Sequence, residues 1–270
     1  MRKPSAVALT LAVSASLFAA GALIGETSAQ DYPSRPITMI VPYASGGTGE
    51  VLGRALAQEM SGTLGRNVIV ELRPGAGGNI GAEHVARVAR ADGYTFLLAA
   101  SSLATSVSLM KLNFDPLKDL APVAGIAAIP NLMVISAESP LKSVGEVIRA
   151  ARAKPNELTF GSSGLCNGSP LAGELFKDTA GIQLTHVPYK GSGAVYPDLI
   201  AQRITLLFDV MGSAVGQVQG GRVRALATTS KQRSQALPDV PTVAEQGFPS
   251  YEFVTWFGFF ARAGTPPEAL

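Results

Sequence analysis

Apolar and polar positions fall into two alternating periods along the first third of the chain. Pro36 to Pro42 (PITMIVP) is a β-branched apolar run that predicts a strand, and Gly46-Gly47-Thr48-Gly49 breaks it. From Val51 to Met60, the apolar residues Val51, Leu52, Leu56, Ala57 and Met60 keep helical spacing. Asn67 to Glu71 predicts a second strand, Arg73 to Gly78 a glycine-rich turn, Ile80 to Arg90 a second helix, and Tyr94 to Ala99 a third strand. Strands separated by helices of about ten residues predict βαβ units on a parallel sheet, an α/β fold.

The middle repeats the pattern less regularly. Strands are predicted at Asn131 to Ser136, Leu158 to Ser162, Leu184 to Val187, Ile204 to Asp209 and Val223 to Thr228. Helices are predicted at Ser143 to Ala153, with Ser143 as N-cap, at Leu171 to Thr179 and at Ala194 to Ala201. Ser230 to Ser250 is rich in turn formers, and Val254 to Ala261 returns to an apolar strand. Thr265 and Pro266 read as a helix cap and first turn, and the sequence stops at Leu270. A helix begun there and not continued predicts a truncated chain whose missing part is helical and covers the first domain.

Composition narrows the function. The 270 residues are 47% hydrophobic and 16% charged, with formal net charge +2 and no basic block, so nothing marks a nucleic-acid partner. The 29 glycines and 18 prolines imply many tight turns, or loops whose backbone approaches a ligand. At the N-terminus, Arg2 and Lys3 precede an uncharged apolar run from Ala6 to Ile24. Thr27-Ser28-Ala29 then places small residues at the −3 and −1 positions. Residues 1–29 are therefore predicted to be a secretory signal peptide cut after Ala29, and the mature chain is expected in the periplasm. One cysteine, Cys166, makes neither an internal disulfide nor a structural zinc site. His84 and His186 are too few for most metal sites and are expected to be structural. No cofactor is expected.

Polar and glycine-rich residues collect where strands end: Tyr43 to Gly49, Pro74 to Gly78, Ser101-Ser102, Ser162 to Ser169 and Tyr189 to Gly193. Open α/β sheets bind ligands outside the carboxyl ends of their strands. Two of these loops run into helix starts, where unpaired N–H groups and the helix dipole favour an anion. The expected ligand is a carboxylate or phosphate. The stronger phosphate fingerprints are missing: Gly75-Ala76-Gly77-Gly78-Asn79-Ile80 has Ile80 at the third glycine position of G-x-G-x-x-G, and no G-x-x-x-x-G-K-[ST] occurs. Gly161-Ser162-Ser163-Gly164 is not a nucleophile elbow. No catalytic residue is assigned, and an enzyme is not expected.

At these loops the sequence resembles the substrate-binding proteins of tripartite tricarboxylate transporters, the Bug-type receptors. The matching segments are YPSRPITMIVPYASGGTGE (Tyr32–Glu50), RPGAGGNIGAE (Arg73–Glu83), DGYTFLLAASS (Asp92–Ser102), FDPLKDLAPVA (Phe114–Ala124), LAGELFKDTAGIQLTHVPYKGSG (Leu171–Gly193), RALATTSKQRSQALPDVPTVAEQGFP (Arg224–Pro249) and WFGFFARAGTP (Trp256–Pro266). The resemblance implies a two-lobed type II periplasmic-binding-protein fold with a ligand cleft between the lobes. Domain one would be residues 30–124 plus 251–270 and domain two residues 125–250. It implies a small organic carboxylate held by backbone N–H groups of Tyr43, Ser45, Gly46, Gly47 and Thr48 and of Ala76, Gly77, Gly78 and Asn79. Ser101, Ser102, Ser162, Ser163, Gly164, Asn167, Tyr189, Gly191 and Asp209 would complete the pocket. Asp209 would either accept a hydrogen bond from the ligand or cap its strand. It further implies a monomer that hands its ligand to membrane subunits of such a transporter. The chain departs from the family at Glu50, where an aspartate is usual, and at Leu165-Cys166, which would make one end of the pocket more apolar and favour a monocarboxylate or an aromatic acid over citrate. Two alternatives remain: a partner of a periplasmic sensor kinase, and a secreted serine hydrolase using the Ser162 loop.

Overall fold

A computed structural model describes residues 32–164 and 168–270, so the predicted signal peptide and Leu165, Cys166 and Asn167 lie outside the described residues. Arg35–Leu270 form one unit. Its first half follows the predicted alternation. β1 (Ile37–Val41) leads to α1 (Thr48–Leu64) and β2 (Val68–Leu72). A glycine turn opens α2, which runs Asn79–Glu83 and continues as a wider π-turn over His84–Val88 into β3 (Thr95–Ala100). β1 pairs in parallel with both β2 and β3. Two short helices, α3 (Ser102–Leu109) and α4 (Pro116–Asp119), precede the 17-residue strand β4 (Leu120–Ser136).

The second half holds α5 (Val144–Ala153), β5 (Thr159–Ser162), α6 (Gly168–Ala180), β6 (Thr185–Pro188), α7 (Ser192–Ile200), β7 (Leu206–Val210), α8 (Met211–Gln219) and β8 (Val223–Thr228), and the chain returns through β9 (Val254–Arg262). Strand order is β2-β1-β3-β9-β4-β7-β5-β6, with β8 beside β4. The all-parallel expectation fails at β4 and β9. β9 runs antiparallel to β3 and to β4, and β4 antiparallel to β7 and β8. Each crosses between the two halves, so neither is the product of a βαβ unit. β4 pairs with β9 as far as Pro130↔Val254 and with β7 from Asn131↔Val210 onward. The result is the expected α/β architecture in two lobes.

Alternation along β4 shows how the second lobe is wrapped. Met133 and Ile135 pack with Val147 and Ala151 of α5 and Phe176 of α6. Leu132 and Val134 face the other way, onto Val195 and Leu199 of α7 and Ala214 of α8. A sheet covered on both faces needs apolar residues at every position, which is why this run reads Leu-Met-Val-Ile. In the first lobe, Ile40 and Leu97 pack on Ala82, Val85 and Ala86 of α2. Ser143 caps α5 as predicted, accepting from Glu146 N at 3.2 Å, a contact worth about 1 kcal/mol. Thr265 does not cap a helix; its hydroxyl turns back to Arg262 O, and only a single turn follows at Pro267–Ala269.

Candidate functional site

The loop between β1 and α1 is organised by Glu50. Its Oε2 accepts from Ser45 Oγ at 2.7 Å and from Gly46 N at 2.8 Å, while Arg54 Nε reaches Oε1 at 2.8 Å. These donors, Gly46 N first, hold the Glu50 carboxyl at about 2 against an ordinary 4.5. Ser45 and Gly46, predicted to face a ligand, therefore already serve this carboxylate. Glu50 can do this because its longer side chain folds back over the turn. A carboxyl with a lowered folded pKa stabilises fully above its unfolded value and loses that contribution as pH falls towards the folded one. Wild type is thus expected to melt higher than Glu50→Gln at neutral pH, with the gap shrinking from pH 4.5 and closing near pH 2 in a series of circular-dichroism melts. A gap that persists at pH 2 would exclude this role.

Gly47 stands at the N-cap of α1 without a side-chain cap, and Thr48 follows, buried, with Oγ1 lacking a hydrogen-bond partner among the described residues. The second helix start is a backbone nest: Gly75, Ala76, Gly77 and Gly78 all have positive φ, at 132°, 48°, 68° and 102°. Such a run favours glycine over any residue with a Cβ, and part of its donor set is spent within the turn: Gly78 N donates to Gly75 O at 2.9 Å and Asn79 N to Ala76 O. Asn79 does not aim its side chain outward. Its Nδ2 donates to Ala76 O at 2.7 Å and Ser106 Oγ at 2.9 Å, bracing the nest against α3.

Tyr43 joins these elements. Its hydroxyl accepts from Ala100 N at 2.6 Å and shares a hydrogen bond with Ser102 Oγ at 3.1 Å. Burial pushes the phenol up, against both hydrogen bonds. A Cβ on Gly49 would lie 2.5 Å from the Tyr43 ring and one on Gly78 3.3 Å away, so both helix starts close against this ring. Ser102 thus serves Tyr43. Ser101, capping nothing with its side chain, keeps a buried Oγ without a partner among the described residues.

In the second lobe, Ser162 Oγ donates to Gly164 O at 2.9 Å and lies 2.6 Å from His186 Nε2. Ser162 has one proton for these two neighbours, so when it serves Gly164 the imidazole is the donor. His186 stacks on Phe160 with ring centroids 4.7 Å apart, and burial lowers its pKa. In that arrangement the polarity is the reverse of a serine nucleophile facing a general base. No metal-binding cluster occurs among the described residues. Ser163 accepts from Gly191 N at 3.0 Å through its carbonyl, and Tyr189 turns its hydroxyl to Asp198 at 2.7 Å.

Asp209 is fully buried and receives four hydrogen bonds. Ser192 Oγ (2.6 Å) and Val210 N (3.0 Å) donate to Oδ1, while Tyr196 OH and Ser213 Oγ (both 2.8 Å) donate to Oδ2. Burial raises its pKa and these donors oppose the rise. Its lone pairs are taken, so the carboxylate pins the first turns of α7 and α8 rather than pointing outward. Ser192 lies in the polar loop Tyr189 to Gly193 that the sequence marked, but Tyr196 and Ser213 carried no such signal, and α8 starts directly after β7.

The loops of the two lobes meet. A Cβ on Gly191 would lie 3.6 Å from Ala44 Cβ, and one on Gly212 2.8 Å from Thr48 Cγ2. Tyr43 to Thr48, Gly77 and Gly78, Ser101, Gly191 and the start of α8 therefore cluster at the crossing of β4 and β9. Asn167 lies outside the described residues.

Residues 52–270 match the family described as Tripartite tricarboxylate transporter family receptor. Protein BugT of Bordetella pertussis is 38% identical over 263 residues, which is 96% of this chain and 80% of the relative. Among solved structures, R. palustris Rpa4515 with adipate is 38% identical with a TM-score of 0.85, covering 88% of this chain and 80% of the other. MatC (Rpa3494) from Rhodopseudomonas palustris with bound malate is 30% identical with a TM-score of 0.81, covering 88% and 81%.

Proposed function

Because the chain belongs to the tripartite tricarboxylate transporter family of receptors, we propose that it captures a small organic carboxylate in the periplasm and hands it to the membrane subunits of such a transporter. The observation that carries this reading is a pair of helix starts without side-chain caps, both closed against the Tyr43 ring, beside two buried hydroxyls, Thr48 Oγ1 and Ser101 Oγ, that lack partners among the described residues. Buried polar groups are ordinarily hydrogen-bonded, and an anion at two helix starts supplies acceptors to such donors. Glu50 takes the outer donors of the first loop, so the carboxylate is assigned to the deeper ones: the starts of α1 and α2 and the Thr48 and Ser101 hydroxyls. The adipate and malate in the names of two structural relatives fit this chemistry. Domain one, residues 30–124 plus 251–270, and domain two, residues 125–250, would close over the ligand as a monomer.

The hydrolase reading needs the Ser162 proton on His186, whereas Ser162 Oγ also serves Gly164 O at 2.9 Å. A thermal-shift screen with citrate, malate, adipate, glutamate, nicotinate and benzoate tests the proposal. At about 100 Kd, a true ligand adds about 2.7 kcal/mol and raises Tm by about 5–10 °C. Saturable stabilisation with the acid recovered unchanged supports capture. No shift with any acid, or ester turnover lost in Ser163→Ala, would overturn it.

A further inference from the structure

We propose that Asn131 is a specificity-determining donor on the floor of the cleft, its Nδ2 hydrogen-bonding a second acceptor group of the carboxylate ligand; this rests on the carboxylate reading above. Asn131 is fully buried, and Nδ2 has no partner among the described residues. Every other polar atom of the residue is engaged. Its N donates to Thr229 Oγ1 at 2.7 Å, its O accepts from Thr229 N at 2.9 Å, and Oδ1 accepts from Thr255 Oγ1 at 2.9 Å. The backbone is therefore fixed on one side and the amide plane on the other, which leaves Nδ2 as the end with a hydrogen bond still to give.

Its place in the fold says to what. Asn131 is where β4 exchanges β9 for β7 as its neighbour, so it occupies the crossing between the lobes. Its cross-strand partner Val210 leads straight into α8, whose Gly212 abuts Thr48. Thr255, its hydrogen-bond partner, precedes Trp256, whose carbonyl accepts from Ser101 N at 3.0 Å. Among the described residues, Thr48 Oγ1 lies unpartnered on the helix that abuts Gly212 of α8, and Ser101 Oγ and Asn131 Nδ2 lie unpartnered on residues that each hydrogen-bond to β9, so each residue borders an element that the crossing joins. The hydroxyls belong to the helix-start side assigned to the carboxylate. Asn131 belongs to the strand floor, and it can donate but not accept through Nδ2. It reads a carboxylate, carbonyl or hydroxyl oxygen on the part of the ligand away from the first carboxylate. A site built around such a donor rejects an analogue lacking the acceptor, because the buried N–H then stays unpaired.

The test is calorimetric titration of this chain with malate, adipate and benzoate as probes, in wild type, Asn131→Ala, Asn131→Asp and Thr255→Val, each checked by a circular-dichroism melt. Wild type is expected to bind malate or adipate more tightly than benzoate, against the preference for a monocarboxylate or aromatic acid read from Leu165-Cys166. Asn131→Ala should weaken the two dicarboxylates about 10- to 100-fold and benzoate less than about 3-fold. Asn131→Asp should weaken them further, by setting one carboxylate against another. Thr255→Val should lower Tm yet change affinity by less than about 3-fold. Equal loss for all acids in Asn131→Ala and Thr255→Val would show that the cluster only braces the crossing, and unchanged affinity in Asn131→Ala would likewise overturn the assignment. Should the Asn131 variants fail to fold, the side-chain amide resonance of Asn131 in wild type decides: it moves on adding the acid that binds, and no movement overturns the proposal. Wild type that binds none of the probes overturns the carboxylate reading itself.

Discussion

Gly212→Ala is expected to weaken ligand binding about 10- to 100-fold while leaving the unliganded protein as stable as wild type or slightly more so. A Cβ at this position would lie 2.8 Å from Thr48 Cγ2, 2.9 Å from Thr48 Oγ1 and 3.3 Å from Thr48 Cβ, all on the opposite lobe. Thr48 cannot step aside cheaply. It is buried in the first turn of α1, and a β-branched side chain in a helix has few rotamers to choose from. Overpacking of this kind costs about 1–3 kcal/mol, and it falls only on the state in which the lobes meet. In the proposed open state the new methyl would be free of Thr48, and alanine in α8 gains up to about 1 kcal/mol of helix propensity over glycine. Calorimetric affinity and the melting temperature of the ligand-free protein should therefore move in opposite directions. Parallel losses in both would mean that the contact is structural and unrelated to closure.

Asp209→Asn is expected to cost about 2–4 kcal/mol, lowering Tm by about 5–15 °C, and to reduce affinity at least about 10-fold in the protein that still folds. The carboxylate satisfies four donors at once. An amide offers only one acceptor oxygen and turns an NH2 toward groups that are themselves donating. Hydrogen bonds to a charged partner are worth about 1.5–3 kcal/mol each, partly offset by the cost of burying the charge that the substitution removes. Tyr196 shows the same coupling from the other side, since burial and the neighbouring Asp209 push its phenol far above the ordinary range. Affinity falls because α7 and α8 lose the anchor that fixes their first turns. A chemical-denaturation series with parallel titrations separates the two effects, and an Asp209→Asn protein with full stability would refute the anchoring role.

Periodicity made the three parallel strands of the first lobe legible as apolar runs, the first two of them followed by a glycine break and a helix. It missed β4 before Asn131. Leu120 to Pro130 carries Pro122, Gly125 and Pro130 and bulges twice against β9, so neither strand alternation nor a buried apolar run is visible there. It also missed α3 and α8, short helices that start without a side-chain cap. The glycine loops pointed to the helix starts directly, since a nest is a local property of the backbone. The roles within them were not local. Asn79 braces α3 across 27 residues, Tyr43 reaches Ala100 across 57, and Asn131 meets Thr255 across 124. Side chains that work over such distances look, in sequence, like any other polar residue near a turn.

The late arrival of β9 also sets a clock. β3 has β1 on one side, but its other neighbour is Val254–Arg262, so the pair Phe96↔Ala261 spans 165 positions. Contacts this remote are slow to form, because the loop they close must first lose its freedom. During synthesis the first lobe holds an unfinished sheet until almost the whole described chain has been made. A polypeptide that stays soft for that long can still be threaded through a membrane, so the topology that places the crossing strands beside the cleft also gives the export proposed here its time window.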